Sequence, residues 1–156
     1  MDNYNLDTGK KYIKDIFAKD CFYSIPEYQR PYVWSRDQIV ALLDDVHAAF
    51  ERDDKKEYFI GCMIWNTRRE TTSGIDYKCQ DILDGQQRFI TLYLLHGVIR
   101  DLSKASKLKE KVGERLRQEA DEYDNIPARN RIVFEVRKDR DFLEDYLLRE
   151  GGTLHL

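Results

Sequence analysis

A chain of 156 residues suits one domain, and folding at that size removes roughly 70% of the unfolded surface from water, so a core can form. Hydrophobic residues at 42% and charged residues at 35% exclude general disorder, and the longest mostly apolar run, Phe89 to Leu95, is far short of the roughly 20 residues that cross a bilayer. A formal net charge of −3 excludes a chain that holds nucleic acid by bulk positive potential, so any such contact must be local.

Residues 9–19 place Tyr12, Ile13, Ile16 and Phe17 at helical spacing and predict a short amphipathic helix. Residues 21–25 read as a strand. Pro26 and Pro31 then keep residues 26–34 irregular and extended, because proline breaks helices and ladders. Ser35 with Gln38 forms a capping-box signature, and Ile39, Leu42, Leu43, Val46 and Phe50 share one face of a helix running to about Arg52. Residues 57–66 and 75–84, rich in β-formers, are expected to pair as a hairpin across a polar linker, residues 67–74. After Gly85 the pattern turns apolar almost all round, which predicts a buried central helix. Residues 103–123, with Leu108, Val112 and Leu116 in line, predict a surface helix; 131–136 a strand; and 139–149 a helix carrying Phe142, Leu143, Tyr146 and Leu147. The whole reads as α+β, one domain over residues 1–156. Gly151 and Gly152 followed by Thr-Leu-His-Leu suggest the front piece of a longer protein.

The N-terminal residues lack the apolar block of a secretory signal, so the expected location is cytoplasmic. Cys21, Cys62 and Cys79 fit neither a disulfide framework nor a metal knuckle, and His47, His96 and His155 have no zinc spacing. Asp44 and Asp45 read as the wet edge of their helix.

Two segments carry chemistry. Asp84-Gly85-Gln86-Gln87-Arg88 stands where a strand hands over to the buried helix; free N–H groups and the helix dipole favour an anion there, and Arg88 adds a fork for phosphate oxygens. The structural alternative makes Asp84 an N-cap, Gly85 a turn residue, Gln86 and Gln87 solvated and Arg88 an ion-pair partner. In the second segment, Ile25 to Trp34, an extended chain would send Tyr28, Arg30, Tyr32 and Trp34 to one side, either to stack bases or to cover the core edge. Micromolar binding needs about 8 kcal/mol, whereas a charge-assisted arginine contact supplies about 1.5 to 3 and a helix end about 1. The two segments would therefore have to act together.

In order, Ile25–Trp34 (IPEYQRPYVW), Leu42–Val46 (LLDDV), Tyr58–Trp65 (YFIGCMIW) and Ile82–Leu95 (ILDGQQRFITLYLL) resemble the N-terminal domain of GmrSD-type modification-dependent restriction proteins, over about residues 20–100. The resemblance implies a ParB/sulfiredoxin-like fold, with a small mixed sheet and its hairpin packed on the central helix. It also implies nucleotide binding and hydrolysis, GTP favoured, coupled to restriction of modified DNA. A nuclease domain or partner subunit, absent from this chain, would complete the system. On this reading Gly85, Arg88 and Thr91 contact the nucleotide, Gln86 or Gln87 orients water or phosphate oxygens, and Asp84 either binds Mg²⁺ or caps the helix. Tyr28, Gln29 and Arg30 complete the pocket. The family pattern continues Leu-Thr-Thr-Leu after the arginine, but here Ile90 brings no hydroxyl and only Thr91 does. Gln86 and Gln87 stand where sulfiredoxins carry a cysteine, which argues against sulfinic-acid repair, and no Walker or kinase glycine loop is present. The alternative function is a noncatalytic DNA-binding or regulatory module using Lys104, Lys107, Lys109, Lys111, Arg115 and Arg117, though Glu110 and Glu114 interleave that stripe as on an ordinary solvated helix.

Overall fold

The computed structural model describes residues 7–18 and 20–155. In chain order it contains α1 (Ile13–Ile16), β1 (Tyr23–Ile25), α2 (Arg36–Glu51), the hairpin β2 (Ile64–Thr72) and β3 (Ile75–Asp84), α3 (Gln86–Leu102) and α4 (Ser106–Leu116). The short strands β4 (Arg117–Gln118), β5 (Arg129–Asn130) and β6 (Ile132–Phe134) follow, then α5 (Arg137–Phe142), a π-helix (Leu143–Leu148) and a 3₁₀ turn (Gly152–His155). The result is mixed α+β.

Four strands form one sheet in the order β2-β3-β1-β6, and β4 pairs with β5 in a separate ribbon. β1 runs parallel to both neighbours, with Tyr23 opposite Gln80 on one side and Ile132 on the other, while β2 and β3 are antiparallel. The sheet is therefore mixed. Parallel neighbours end at the same edge, so the chain leaving β1 at Ile25 and the chain leaving β3 at Asp84 emerge side by side. That register brings together the two segments singled out above, more than 50 residues apart in sequence.

α3 covers the sheet. Phe89 and Tyr93 are fully buried, with the Phe89 ring 4.7 Å from Tyr23 and 5.1 Å from Phe17, centroid to centroid. Ile25, Ile82, Ile132, Phe134, Leu116, Leu143 and Leu147 close the same core. At the far end of α3, Arg100 donates to the Leu147 and Arg149 carbonyls, both at 2.8 Å, while Asp101 accepts from the Gly151 and Thr153 N–H groups and the Thr153 hydroxyl. This buried pair caps the end of the π-helix and the start of the 3₁₀ turn at once.

Several boundaries differ from the pattern. The first helix is only Ile13–Ile16, and the first strand starts at Tyr23. The hairpin's first strand is Ile64–Thr72, not 57–66: most of the polar linker is itself strand, because Ser73 and Gly74, both at positive φ (52° and 77°), close a two-residue turn. Its polar residues pair across the exposed end of the hairpin, with Thr71 donating to Asp76 at 2.6 Å and Arg68 bonded to Asp81 at 2.9 Å. The predicted surface helix stops at Leu116, where Arg117 and Gln118 join a ribbon whose acidic loop is tied by Asp121 to the Tyr123 N–H. The last predicted helix starts at Arg137 and widens into π geometry from Leu143, with Leu143 and Leu147 buried but Phe142 and Tyr146 facing out. α2 keeps its capping box, Gln38 accepting from the Ser35 N–H at 2.7 Å, yet only Leu42 of its apolar face is buried. Among the described residues no helix is long and apolar enough to cross a membrane.

Candidate site at the β3–α3 junction

The junction is built around one backbone conformation. Gly85 sits at φ 83°, and a Cβ there would come within 2.7 Å of the Cys62 carbonyl oxygen and 2.9 Å of Met63 Cγ, so both the dihedral and the crowding require glycine. Gly85, not Asp84, is the N-cap: its carbonyl accepts from the Phe89 N–H at 3.1 Å. Asp84 instead turns one carboxylate oxygen onto the Gly85 N–H at 2.9 Å. No side chain caps the first turn, so the N–H groups of Gln86, Gln87 and Arg88 have no intrahelical partner and point out along the dipole.

Arg88 lies one turn in. Its guanidinium stands 5.9 Å from the Trp34 ring centroid and lies against the face of Gly61, where any Cβ would overlap it. Among the described residues no carboxylate comes within ion-pairing distance of it. Gly61, at φ 146°, is a site residue that sequence reasoning missed; its signal was a glycine inside an otherwise β-rich run.

Gln86 and Gln87 are buried, not solvated. The Gln87 amide donates to the Pro31 carbonyl at 3.0 Å and accepts from the Val33 N–H at 2.8 Å, acting as a strand partner for the proline-interrupted segment. Thr91 donates to the Gln87 carbonyl at 2.7 Å and meets the Tyr32 hydroxyl at 2.8 Å. Both side chains therefore hold residues 31–33 against α3. Gln86 is 4% exposed and makes no side-chain hydrogen bond among the described residues.

Residues 26–34 do not present one continuous aromatic face. A turn closed by the Gln29 N–H on the Pro26 carbonyl, 3.1 Å, breaks the alternation. Tyr32 and Trp34 pack against the core, whereas Tyr28, 74% exposed, and Arg30 face solvent. Gln29 reaches back to the Leu83 carbonyl at 3.2 Å, which places it beside Asp84. The junction thus gathers Gln29, Asp84, Gly85, Gln86, Arg88 and Trp34, while Tyr28 and Arg30, on either side of Gln29 in the chain, are exposed and touch none of them by hydrogen bond or ion pair. Asp84 is the one carboxylate at this helix start, and no group of three metal-ligating side chains occurs among the described residues. That donor set fits a magnesium ion carried mainly by phosphate oxygens, since Mg²⁺ commonly takes one or two carboxylates alongside phosphate and water.

The other candidates are occupied elsewhere. Asp45 accepts from the Tyr58 hydroxyl at 3.1 Å and His47 lies 3.8 Å from Glu51. His96 is buried with Nδ1 2.6 Å from the Leu92 carbonyl, and that burial lowers its pKa. Burial also pushes the Cys79 thiol up. In the basic stripe, Lys109 pairs with Glu150 and Arg117 with Glu119.

Comparison with known proteins gives one assignment. Residues 11–151 match the family model described as GmrSD restriction endonuclease, N-terminal domain. No curated protein matches the chain.

Proposed function

The chain belongs to the GmrSD restriction endonuclease N-terminal domain family, and from that premise we propose that this restriction-protein module binds a nucleoside triphosphate at the β3–α3 junction and hydrolyses it. The observation that carries the reading is the Arg88 guanidinium, without a carboxylate partner among the described residues and beside the open N–H groups of the first α3 turn. Arg88 and those amides hold the phosphates. The Gln86 amide orients the attacking water or a phosphate oxygen, and Asp84, with one carboxylate oxygen on the Gly85 N–H, would hold Mg²⁺ with the other. Magnesium, when bound, neutralises charge that develops on the phosphate oxygens. Gln87 and Thr91 position rather than touch: they fix Tyr32 and its neighbours against α3. Tyr28 and Arg30 supply an exposed wall for base and sugar. In hydrolysis a water oxygen bonds to the terminal phosphorus, the bond to the bridging oxygen breaks, and the proton leaves to solvent.

The finer fold reading, ParB/sulfiredoxin-like, is consistent with a mixed sheet whose hairpin hands over to a buried helix. GTP is the favoured nucleotide, modified DNA the sensed substrate, a nuclease domain or partner subunit the effector, and the cytoplasm the location. Calorimetry with GTP, ATP and CTP, each with magnesium, tests the site. Wild type is expected to give saturable heat that Arg88→Ala loses by at least about tenfold in affinity, a charge-assisted contact of about 1.5 to 3 kcal/mol. Equal heats for the two proteins would refute the assignment.

A further inference from the structure

Arg131 lies where the chain crosses from the β4–β5 ribbon to the main sheet, its N–H on the Leu116 carbonyl and its carbonyl on the Tyr23 N–H. The side chain is 5% exposed. Nε donates to the Glu114 carbonyl at 3.0 Å, but Nη1 is buried; among the described residues it has no hydrogen-bond partner and the guanidinium has no carboxylate within 4.0 Å. Two residues earlier, at the start of β5, Arg129 also has a buried Nη2 without a partner among the described residues. Its guanidinium lies 3.3 Å from the Tyr77 ring centroid and 4.9 Å from that of Phe22, and the Arg131 guanidinium is 5.0 Å from the same Phe22 ring. Both cationic heads thus lie within 5.0 Å of the centre of one phenyl ring.

A buried cation without a counter-charge is costly, and arginine cannot escape the cost by losing its proton. Burial disfavours the charged form of Arg131 more than Cys21, Asp20, Tyr93 and Glu114 together favour it, and neither Asp20 nor Glu114 forms an ion pair with it. The surroundings admit a ligand. Arg131 lines a cleft of about 1120 Å³ beside α4, and Arg129 lines an adjoining one of about 410 Å³; the two clefts share Gln118 and Ile126. Lys14, Lys111 and Arg115 also line the larger cleft, while two of its acids, Glu119 and Glu150, are engaged by Arg117 and Lys109.

We propose that Arg129 and Arg131 form an oxyanion site that takes a phosphate group entering through the α4 cleft, independently of the β3–α3 junction. A planar guanidinium fork matches two oxygens of a tetrahedral phosphate, and the unpartnered Nη atoms of both arginines are donors only. The source is either inorganic phosphate or the phosphate of a mononucleotide.

The test separates this site from the junction by using Arg88→Ala as the background. Its melting temperature is followed against sodium phosphate and against AMP at constant ionic strength, with and without Arg131→Met. Arg88→Ala is expected to gain about 3 °C at a ligand concentration near ten times Kd, and the double variant to gain less than a third of that. Stabilisation by both ligands at similar concentrations identifies the bare oxyanion; stabilisation by AMP at tenfold lower concentration identifies a mononucleotide. Equal gains in the two proteins, or none in either, overturn the site. Should the double variant not fold, the Arg131 Nε–H resonance of the wild type decides: a shift on addition of about 20 mM phosphate supports the proposal and its absence overturns it.

Discussion

Gln87 holds the two halves of the junction together, and its effect is separable from that of Arg88. Replacing it with leucine keeps the volume but removes the bonds to Pro31 and Val33. Because Val33 is itself exposed and its N–H can find water, the cost should be near the low end for a lost buried bond, about 1 kcal/mol by denaturant titration. Amide exchange at Val33 should quicken, and nucleotide heat should weaken less than in Arg88→Ala. Unchanged exchange at Val33 would show that the amide is not the tether. At this scale the sequence was only partly legible. The turn at Gly85 and the place of Arg88 one turn into the helix could be read because both depend on near neighbours in the chain: a turn that needs positive φ and the helix start that follows it. The Gln87 role could not, since its partners are 54 and 56 residues earlier and only strand register brings them close. The capping alternative for Asp84 failed locally instead: the left-handed Gly85 takes that position and the Asp84 carboxylate turns onto its N–H.

At the scale of elements, local pattern located helix and strand cores but not where each chain enters its partner. The run from Glu57 to Asn66 has strand composition throughout, yet pairing starts only at Ile64, after Gly61 has swung the backbone to positive φ beneath Arg88. Beyond it the sequence of the linker looked polar because the end of the hairpin stands clear of α3 and has little core to face. α2 shows the converse: a correct cap and a correct apolar stripe, but Val46 and Phe50 are left at the surface, because periodicity tells which face is apolar and not whether anything covers it. The hairpin turn can be tested by itself. Ser73 and Gly74 both adopt positive φ, a geometry that asparagine enters more easily than serine. Ser73→Asn should therefore raise stability by about 0.5 kcal/mol and leave nucleotide heat unchanged. A loss of stability would mean that the turn is not of this type.

For the molecule as a whole, the pair Arg100 and Asp101 joins the sheet-covering helix to the last segment of the chain, and its electrostatics set a pH dependence. Burial opposes ionisation of Asp101, but the Arg100 guanidinium, the Thr153 hydroxyl and the Gly151 and Thr153 N–H groups outweigh it and hold the carboxyl well below the usual range. A carboxyl lowered on folding adds stability that is fully present above its unfolded value, about 3.9, and is lost as pH falls through the lower folded value. His96 works in a different window. Its burial lowers the folded pKa, so the folded state binds fewer protons, and the neutral ring adds stability above about pH 6.5 that is lost on acidification below it. Denaturation followed from pH 8 down to pH 2 should therefore show two declines. In Asp101→Asn the lower one should flatten and the upper one remain. At pH 7 the variant should lose about 3 kcal/mol, the usual cost of breaking a buried pair from one side, because Arg100 would be left in place without its counter-charge. A variant that kept the full decline below pH 4 would place the acid sensitivity in other carboxylates and reduce the clamp to a set of neutral hydrogen bonds.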